Sequence, residues 1–249
     1  MRAARWVLAS AVTLAVALPL VVRSGLALQA SGEPSSAASA TIAPAAAPSA
    51  RVADFGAARP SADARHLSSW IADSNDNGSL DFIVVDKKFA TVYVFGADAR
   101  LRASSPILLG SALGDTSAPD IGDRPLSLVL PEERTTPAGR FLGERGRNAR
   151  DEDVVWVDYD AAVSMHRVLT TNAAERRLER LATPSVDDNR ISFGCINVPI
   201  VFYESHIRPM FAKTRALIYV LPDVLPAQQV FGSYDVPVRA KGLRISAAP

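Results

Sequence analysis

Apolar residues along this chain fall into short β-branched and aromatic runs separated by turn residues, a pattern that predicts strands packed face to face. Phe82 to Asp86 and Phe89 to Phe95 flank Lys87 and Lys88 and are followed by Gly96 and Asp98, which predicts a hairpin. Pro106 to Leu109 closes on Gly110, and Ser127 to Leu130 reads as a further short strand beyond a loop rich in Gly, Asp and Pro. Thr135-Thr136-Pro137-Ala138-Gly139-Arg140-Phe141 carries turn chemistry at the entry to another strand. Val154 to Tyr159 reads as a buried strand, and after a turn at Asp158 to Ala161 the run Ala162 to Val168 returns along it. Arg190 to Phe193 and Arg215 to Leu221 complete the set.

Helical spacing is confined to three stretches. Ser61 to Ser74 starts on a capping serine and places Leu67, Trp70 and Ile71 on one face, with the polar cluster Ser74 to Gly78 ending it. Asn172 to Leu181 is short and charged, with Leu178 and Leu181 as its apolar contacts. Ile200, Tyr203, Ile207, Met210 and Phe211 repeat at helical intervals, and Pro209 should kink or restart that helix. Strands this short need a facing layer to cover them, so the predicted fold is mainly β with a few helices, a sandwich or open barrel in a single domain.

The ends of the chain differ from this middle. Arg2 and Arg5 precede Trp6 to Val22, an apolar run broken only by Ser10, Thr13 and Pro19. Residues 1–30 are therefore expected to be an export signal, cleaved near Gly25-Leu26-Ala27 or Leu28-Gln29-Ala30, or a membrane anchor through residues 6–22. Either outcome places the remainder in the periplasm or cell envelope. Residues 31–60 open with a stretch of Ala, Ser, Pro, Thr and Gly that cannot bury a core, and are expected to be a flexible linker. The folded domain is expected over 61–226 and a loosely attached tail over 227–249. Lys and Arg number 27 against 26 Asp and Glu, with no long run of one sign, so a nucleic-acid partner is not expected.

The one cysteine, Cys195, changes the picture most. An exported chain with a single thiol gains no internal disulfide from its compartment, so keeping the thiol points to a use for it. Arg190 to Phe193 reads as a strand running through Gly194 into a helix that starts at the cysteine. Unpaired N–H groups and the helix dipole would then favour a thiolate and could hold the oxyanion formed when it attacks a carbonyl. A small buried hydrophobe is the alternative. A thiolate needs a base, and the candidates are His66, His166 and His206. His166 ranks first because it ends a strand shortly before the cysteine segment. His206 lies down the following helix, and His66 has no chemical partner nearby in sequence. Neither CxxC nor HExxH spacing occurs, nor a Gly-rich phosphate loop, so no metal and no cofactor are expected.

The order TTPAGRF, then a histidine, then S-x-G-C-I-N, a helix and a last apolar strand resembles the L,D-transpeptidase catalytic domain, the YkuD-like family that remodels bacterial peptidoglycan. The resemblance covers roughly residues 82–222 and implies a YkuD-like β-sandwich or open barrel and a cysteine acyl-transferase working on peptidoglycan stem peptides. It implies Cys195 as nucleophile, His166 as base, and Ser192, Gly194 and Asn197 as the rest of the signature, with backbone N–H groups around Gly194 and Cys195 as the oxyanion hole. A backbone carbonyl close to His166 would orient its ring. Phe193 and Arg190 are expected at the pocket, where Arg190 or Arg140 could attract stem-peptide carboxylates. Two local readings stand beside these: Ser192 bonding the local backbone, and Asn197 capping the helix.

The chain departs from the family pattern in two places. Phe193 stands where the family usually has a histidine, and Asn172 to Leu181 lengthens the spacing between His166 and Ser192, where it could form a wall or lid. Three activities fit these residues: transpeptidation, hydrolysis by an L,D-carboxypeptidase or amidase that uses water as acceptor, and non-catalytic peptidoglycan binding.

Overall fold

The computed structural model describes residues 50–212 and 214–236, so the expected leader and most of the expected linker lie outside the described residues. Helix α1 (Ala62–Ser74) begins where Ser61 Oγ accepts the Ala64 N–H at 3.0 Å and ends at Asn75, which turns left-handed at φ 56°. The hairpin strands β1 (Phe82–Asp86) and β2 (Thr91–Phe95) follow, then β3 (Leu101–Pro106) and the short β4 (Leu109–Gly110). After a long loop come β5 (Gly139–Arg147), β6 (Asp153–Asp158) and β7 (Val163–Arg167). Helix α2 (Arg177–Ala182) leads to β8 (Arg190–Ser192) and β9 (Ile196–Val198). Helix α3 (Ile200–Phe202) runs through a π turn (Tyr203–Ile207) into α4 (Arg208–Met210), and β10 (Ala216–Val220) and α5 (Ala227–Phe231) end the described chain.

Eight strands form one sheet in the order β3-β2-β1-β10-β5-β6-β7-β9. The chain leaving β3 bridges the far edge: Leu108 and Asn197 exchange both backbone hydrogen bonds, at 2.8 and 2.9 Å. The sheet thereby curls almost into a barrel, which leaves little free edge. One core fills its concave side, where Ile83, Val94, Met165, Ile196 and Ile218 meet Tyr203, Ile207 and Phe211 from the helical stretch after β9. The opposite face of β1, β2 and β10 meets α1 through Leu67, Trp70 and Ile71. Strands covered on both sides read as continuous apolar runs, and FIVVD and ALIYV do so. Each such buried side chain contributes roughly 1.5–3 kcal/mol.

The structure differs from the sequence reading in several places, one of them strand β3 (Leu101–Pro106), where no strand was expected. Leu126–Leu128 and Pro131–Glu133 form 3-10 turns where a strand was expected, and Leu126, Leu128 and Leu130 are exposed. Pro125 and Pro131 bracket that stretch and deny it a donor at each end. The residues after Cys195 form strand β9, because the residue before a proline avoids the helical region and Pro199 follows Val198. The expected helix begins only at Ile200. Asn172 to Leu181 is broken at Arg176, left-handed at φ 50°, between a 3-10 turn and α2. Phe55 and Ala53 are buried against the second core, so packed structure begins within the expected linker. The tail is not loose up to residue 236: it forms α5, and beyond it Ser233 meets His66 Nε2 at 2.9 Å while Tyr234 bonds Asp73 at 2.9 Å. Among the described residues, no helix is long and apolar enough to cross a membrane.

Candidate active site

Strands β7 and β9 build the site because they run parallel in the register Met165↔Ile196 and His166↔Asn197. One step back along β9 stands Cys195, and Ser164 and His166 share a face of β7 by the two-residue strand period. Ser164 Oγ lies 3.7 Å from the Cys195 sulfur, as does the carbonyl oxygen of Ala162. The His166 imidazole lies near enough to act on the charge of the same sulfur. Its Nδ1 donates to the carbonyl of Arg167 at 2.7 Å, which fixes the tautomer and leaves Nε2 for the thiol. The carbonyl expected to orient the ring is therefore that of the next residue on its own strand.

The turn carrying the sulfur is tied at several points. Ser192 Oγ donates to the Cys195 carbonyl at 2.7 Å and accepts the Gly194 N–H at 3.1 Å. Gly194 adopts φ +128°, and a Cβ there would stand 2.7 Å from the Thr135 carbonyl oxygen, so only glycine fits. Thr136 Oγ1 donates to the Gly194 carbonyl at 2.8 Å and accepts the Gly110 N–H at 2.9 Å. The TTPAG stretch is thus the wall against which the cysteine turn is pressed, besides being the turn that enters β5.

Behind that wall sits a buried ionic cluster. Lys87 Nζ donates to the carbonyls of Gly114 at 2.5 Å and Thr136 at 2.8 Å, and lies 3.1 Å from both Asp115 and Asp223. Asp115 also accepts the N–H groups of Asp223, Val224 and Leu225 at 2.6 to 3.0 Å. Although burial works against its charge, these N–H donors and Lys87 hold the Asp115 carboxyl below its ordinary range. Arg190 closes the cluster, 2.7 Å from Asp223 and 3.0 Å from the Lys87 carbonyl.

Electrostatics shift both Cys195 and His166 toward their charged forms. Burial alone would push the His166 imidazole down, but its attraction to Cys195, helped by the Arg167 carbonyl, holds it above the usual histidine value. Burial would likewise push the thiol up, yet the nearby His166, with the N–H and hydroxyl of Ser164, brings Cys195 below its ordinary value. The helix dipole invoked from the sequence plays no part here, since β9 and not a helix follows the sulfur. A cleft of about 200 Å³ opens beside Cys195, lined by Phe193, Ala162, Val163, Ile121, Leu126 and Arg124 among others.

The expected site residues separate into two groups. Cys195, His166, Ser192, Gly194 and Phe193 come together around the turn. Asn197 is fully buried in β9; its side-chain amide donates to the Cys195 carbonyl at 3.2 Å and accepts from Arg177 at 2.5 Å. It neither caps a helix nor lines the cleft. Through Arg177 the lengthened segment rests on β9 beside Cys195, and its cation disfavours the imidazolium. Arg190 faces Asp223 and Lys87 and not the cleft, because the carboxylate behind the turn neutralises it. Arg140 pairs with Asp76 at 2.7 Å, far along the sheet on β5. Ser164, Thr136 and Lys87 were not singled out from the sequence. Ser164 could have been, since it stands two residues before His166 on one strand face. Among the described residues, no cluster of His, Cys, Asp and Glu could hold a metal ion.

No protein-family profile matches the chain. No curated protein matches it. Among solved structures, a mutant L,D-transpeptidase from Enterococcus faecium aligns at 18% identity over 57% of this chain and 49% of that one, with a TM-score of 0.30. The helical cell shape determining protein Pgp2 from Campylobacter jejuni aligns at 16% identity over 61% of this chain and 54% of that one, with a TM-score of 0.39. An L,D-transpeptidase from Mycobacterium tuberculosis H37Rv aligns at 13% identity over 57% of each chain, with a TM-score of 0.34. The chain spans about half the length of the first solved structures it matches. It is similar in structure to several L,D-transpeptidases.

Proposed function

We propose that this protein is an exported cysteine acyl-transferase that acts on peptidoglycan stem peptides, an L,D-transpeptidase of the cell envelope. The observation that supports the reading is Cys195 at an open cleft with His166, its tautomer fixed, at the neighbouring position of strand β7. The thiolate attacks an amide carbonyl of the donor stem, and His166, holding the proton, delivers it to the departing amine. A thioester to Cys195 remains. An incoming amine of a second stem, deprotonated by the same imidazole, takes the acyl group and restores the thiol. The thioester keeps the energy of the broken amide, so no nucleotide is needed.

Each neighbouring residue has a role in this scheme. The Gly194 N–H is spent on Ser192, so the Cys195 N–H, which has no acceptor among the described residues, is the donor left for the oxyanion. Ser192 and Asn197 act as positioning residues, each holding the Cys195 carbonyl from one side. Phe193 shapes the cleft.

Incubating the pure protein with muropeptides and reading the products by mass spectrometry tests the proposal. A cross-linked dimer is expected, with a Cys195 acyl adduct that disappears in Cys195→Ala. A trimmed monomer would assign water as the acceptor, and unchanged substrate with no adduct would overturn the enzymatic reading. Carbapenems should add covalently to the wild type and not to Cys195→Ala.

A further inference from the structure

Phe193 lines the Cys195 cleft and is 37% exposed. Over the ring lies the guanidinium of Arg134, its carbon 4.1 Å from the centroid. A guanidinium stacked on an aromatic plate is fixed in orientation while its N–H groups point outward in its own plane, free to bond. Arg134 makes little use of them. Nη2 donates to the Val129 carbonyl at 3.3 Å, and Nε is buried without any partner. No carboxylate among the described residues lies within 4.0 Å of it. The adjacent Arg124, by contrast, is neutralised by Glu133 through two bonds of 3.0 Å. No Asp or Glu lines the cleft itself. An uncompensated cation is therefore held against Phe193 and Val129, two residues that line the cleft containing the Cys195 sulfur, although its own side chain is not part of that lining.

We propose that Arg134, seated on Phe193, is a specificity-determining residue that binds a carboxylate of the acyl donor as the donor enters the Cys195 cleft. This rests on the acyl-transfer reading above and adds to it the charge of the preferred donor. It also gives Phe193 a use at a position where an imidazole is the family habit: a phenyl ring carries a guanidinium, which an imidazolium would repel. The carboxylate has two sources, the terminal carboxylate of the residue that leaves and a side carboxylate on the part that stays. Both are read by the same fork.

Alkylation of Cys195 tests the site without requiring cross-linking activity. Iodoacetate and iodoacetamide react by the same displacement, in which the thiolate sulfur bonds the methylene carbon and iodide leaves, and they differ by one negative charge. The ratio of their rates is measured at low salt for the wild type, Arg134→Gln and Arg134→Lys, with the iodoacetamide rate of each variant as its reference for fold and thiolate content. The ratio should fall about fivefold in Arg134→Gln, should be largely kept in Arg134→Lys, and should converge across all three at high salt. An unchanged ratio in Arg134→Gln overturns the assignment.

Donor tetrapeptides then separate the sources. Wild type should acylate faster with a terminal acid than with a terminal amide if Arg134 reads the leaving residue. It should instead discriminate against amidation of the side carboxylate if Arg134 reads the acyl part. Loss of neither preference in Arg134→Gln would exclude the donor as the ligand. Failure of the wild type to acylate with every donor would overturn the acyl-transfer reading instead, and would leave the alkylation ratio to judge the anion site.

Discussion

Charged groups stand on both sides of the cysteine turn, and they are handled in opposite ways. Behind it, Lys87, Asp115, Asp223 and Arg190 neutralise one another, and Lys87 and Asp223 are almost wholly removed from solvent. In front of it, Arg134 has no carboxylate within 4.0 Å among the described residues, and Cys195, at the edge of a cleft, and His166 are each shifted toward the charged form. A charge that is paired and satisfied is spent on holding the chain in place. One left uncompensated beside open space is available to a ligand or a reaction. The connection between the two sides is Thr136, whose carbonyl meets Lys87 and whose hydroxyl meets Gly194.

Breaking the rear cluster should produce the largest change in stability. Lys87→Ala removes the cation shared by two buried carboxylates, and it should cost on the order of 3–5 kcal/mol in urea denaturation. Asp115 lies below its ordinary value in the folded protein, so its contribution is full above the unfolded carboxylate range and is lost as pH falls through the folded value. The acid limb of the stability curve should therefore flatten in Lys87→Ala. Wild-type stability in that variant would mean that the cluster is incidental.

A smaller effect is expected from the link. Thr136→Val keeps the shape but leaves the buried Gly110 N–H and the Gly194 carbonyl without their shared partner. It should cost about 1–3 kcal/mol and slow Cys195 alkylation, because the turn loses one of its ties. A loss of stability with alkylation unchanged would separate the rear cluster from the front.

How much of this was legible in the sequence follows the range of the interactions. Helix α1 with its serine cap, the β1–β2 hairpin and the all-apolar β10 depend on neighbours within a few residues, and they read directly. Cys195 was singled out as the one cysteine, and His166 was ranked first of three histidines by its place at a strand end and by the family resemblance. The strand after Cys195 was also present in the sequence, as Pro199 restricting Val198, but the helical spacing of Ile200 to Phe211 drew the helix start too far back. Leu126, Leu128 and Leu130 alternate like a strand, but they have no sheet edge to join and point to solvent. The Lys87 cluster joins residues 28 and 108 positions apart, and no local pattern announces it. Arg190 was assigned to the pocket for want of Asp223 as its partner.

The central claim is that His166 makes the Cys195 thiolate, and the pH dependence of Cys195 alkylation by iodoacetamide tests it most directly in wild type and His166→Ala. The wild-type thiol should titrate below the ordinary free-cysteine value of about 8.5. In His166→Ala the profile should shift alkaline, with a much lower rate at neutral pH and the same urea midpoint, because the charge that stabilises the thiolate is gone. Superimposable profiles for the two proteins, or a wild-type thiol that titrates at or above the ordinary value, would contradict the account.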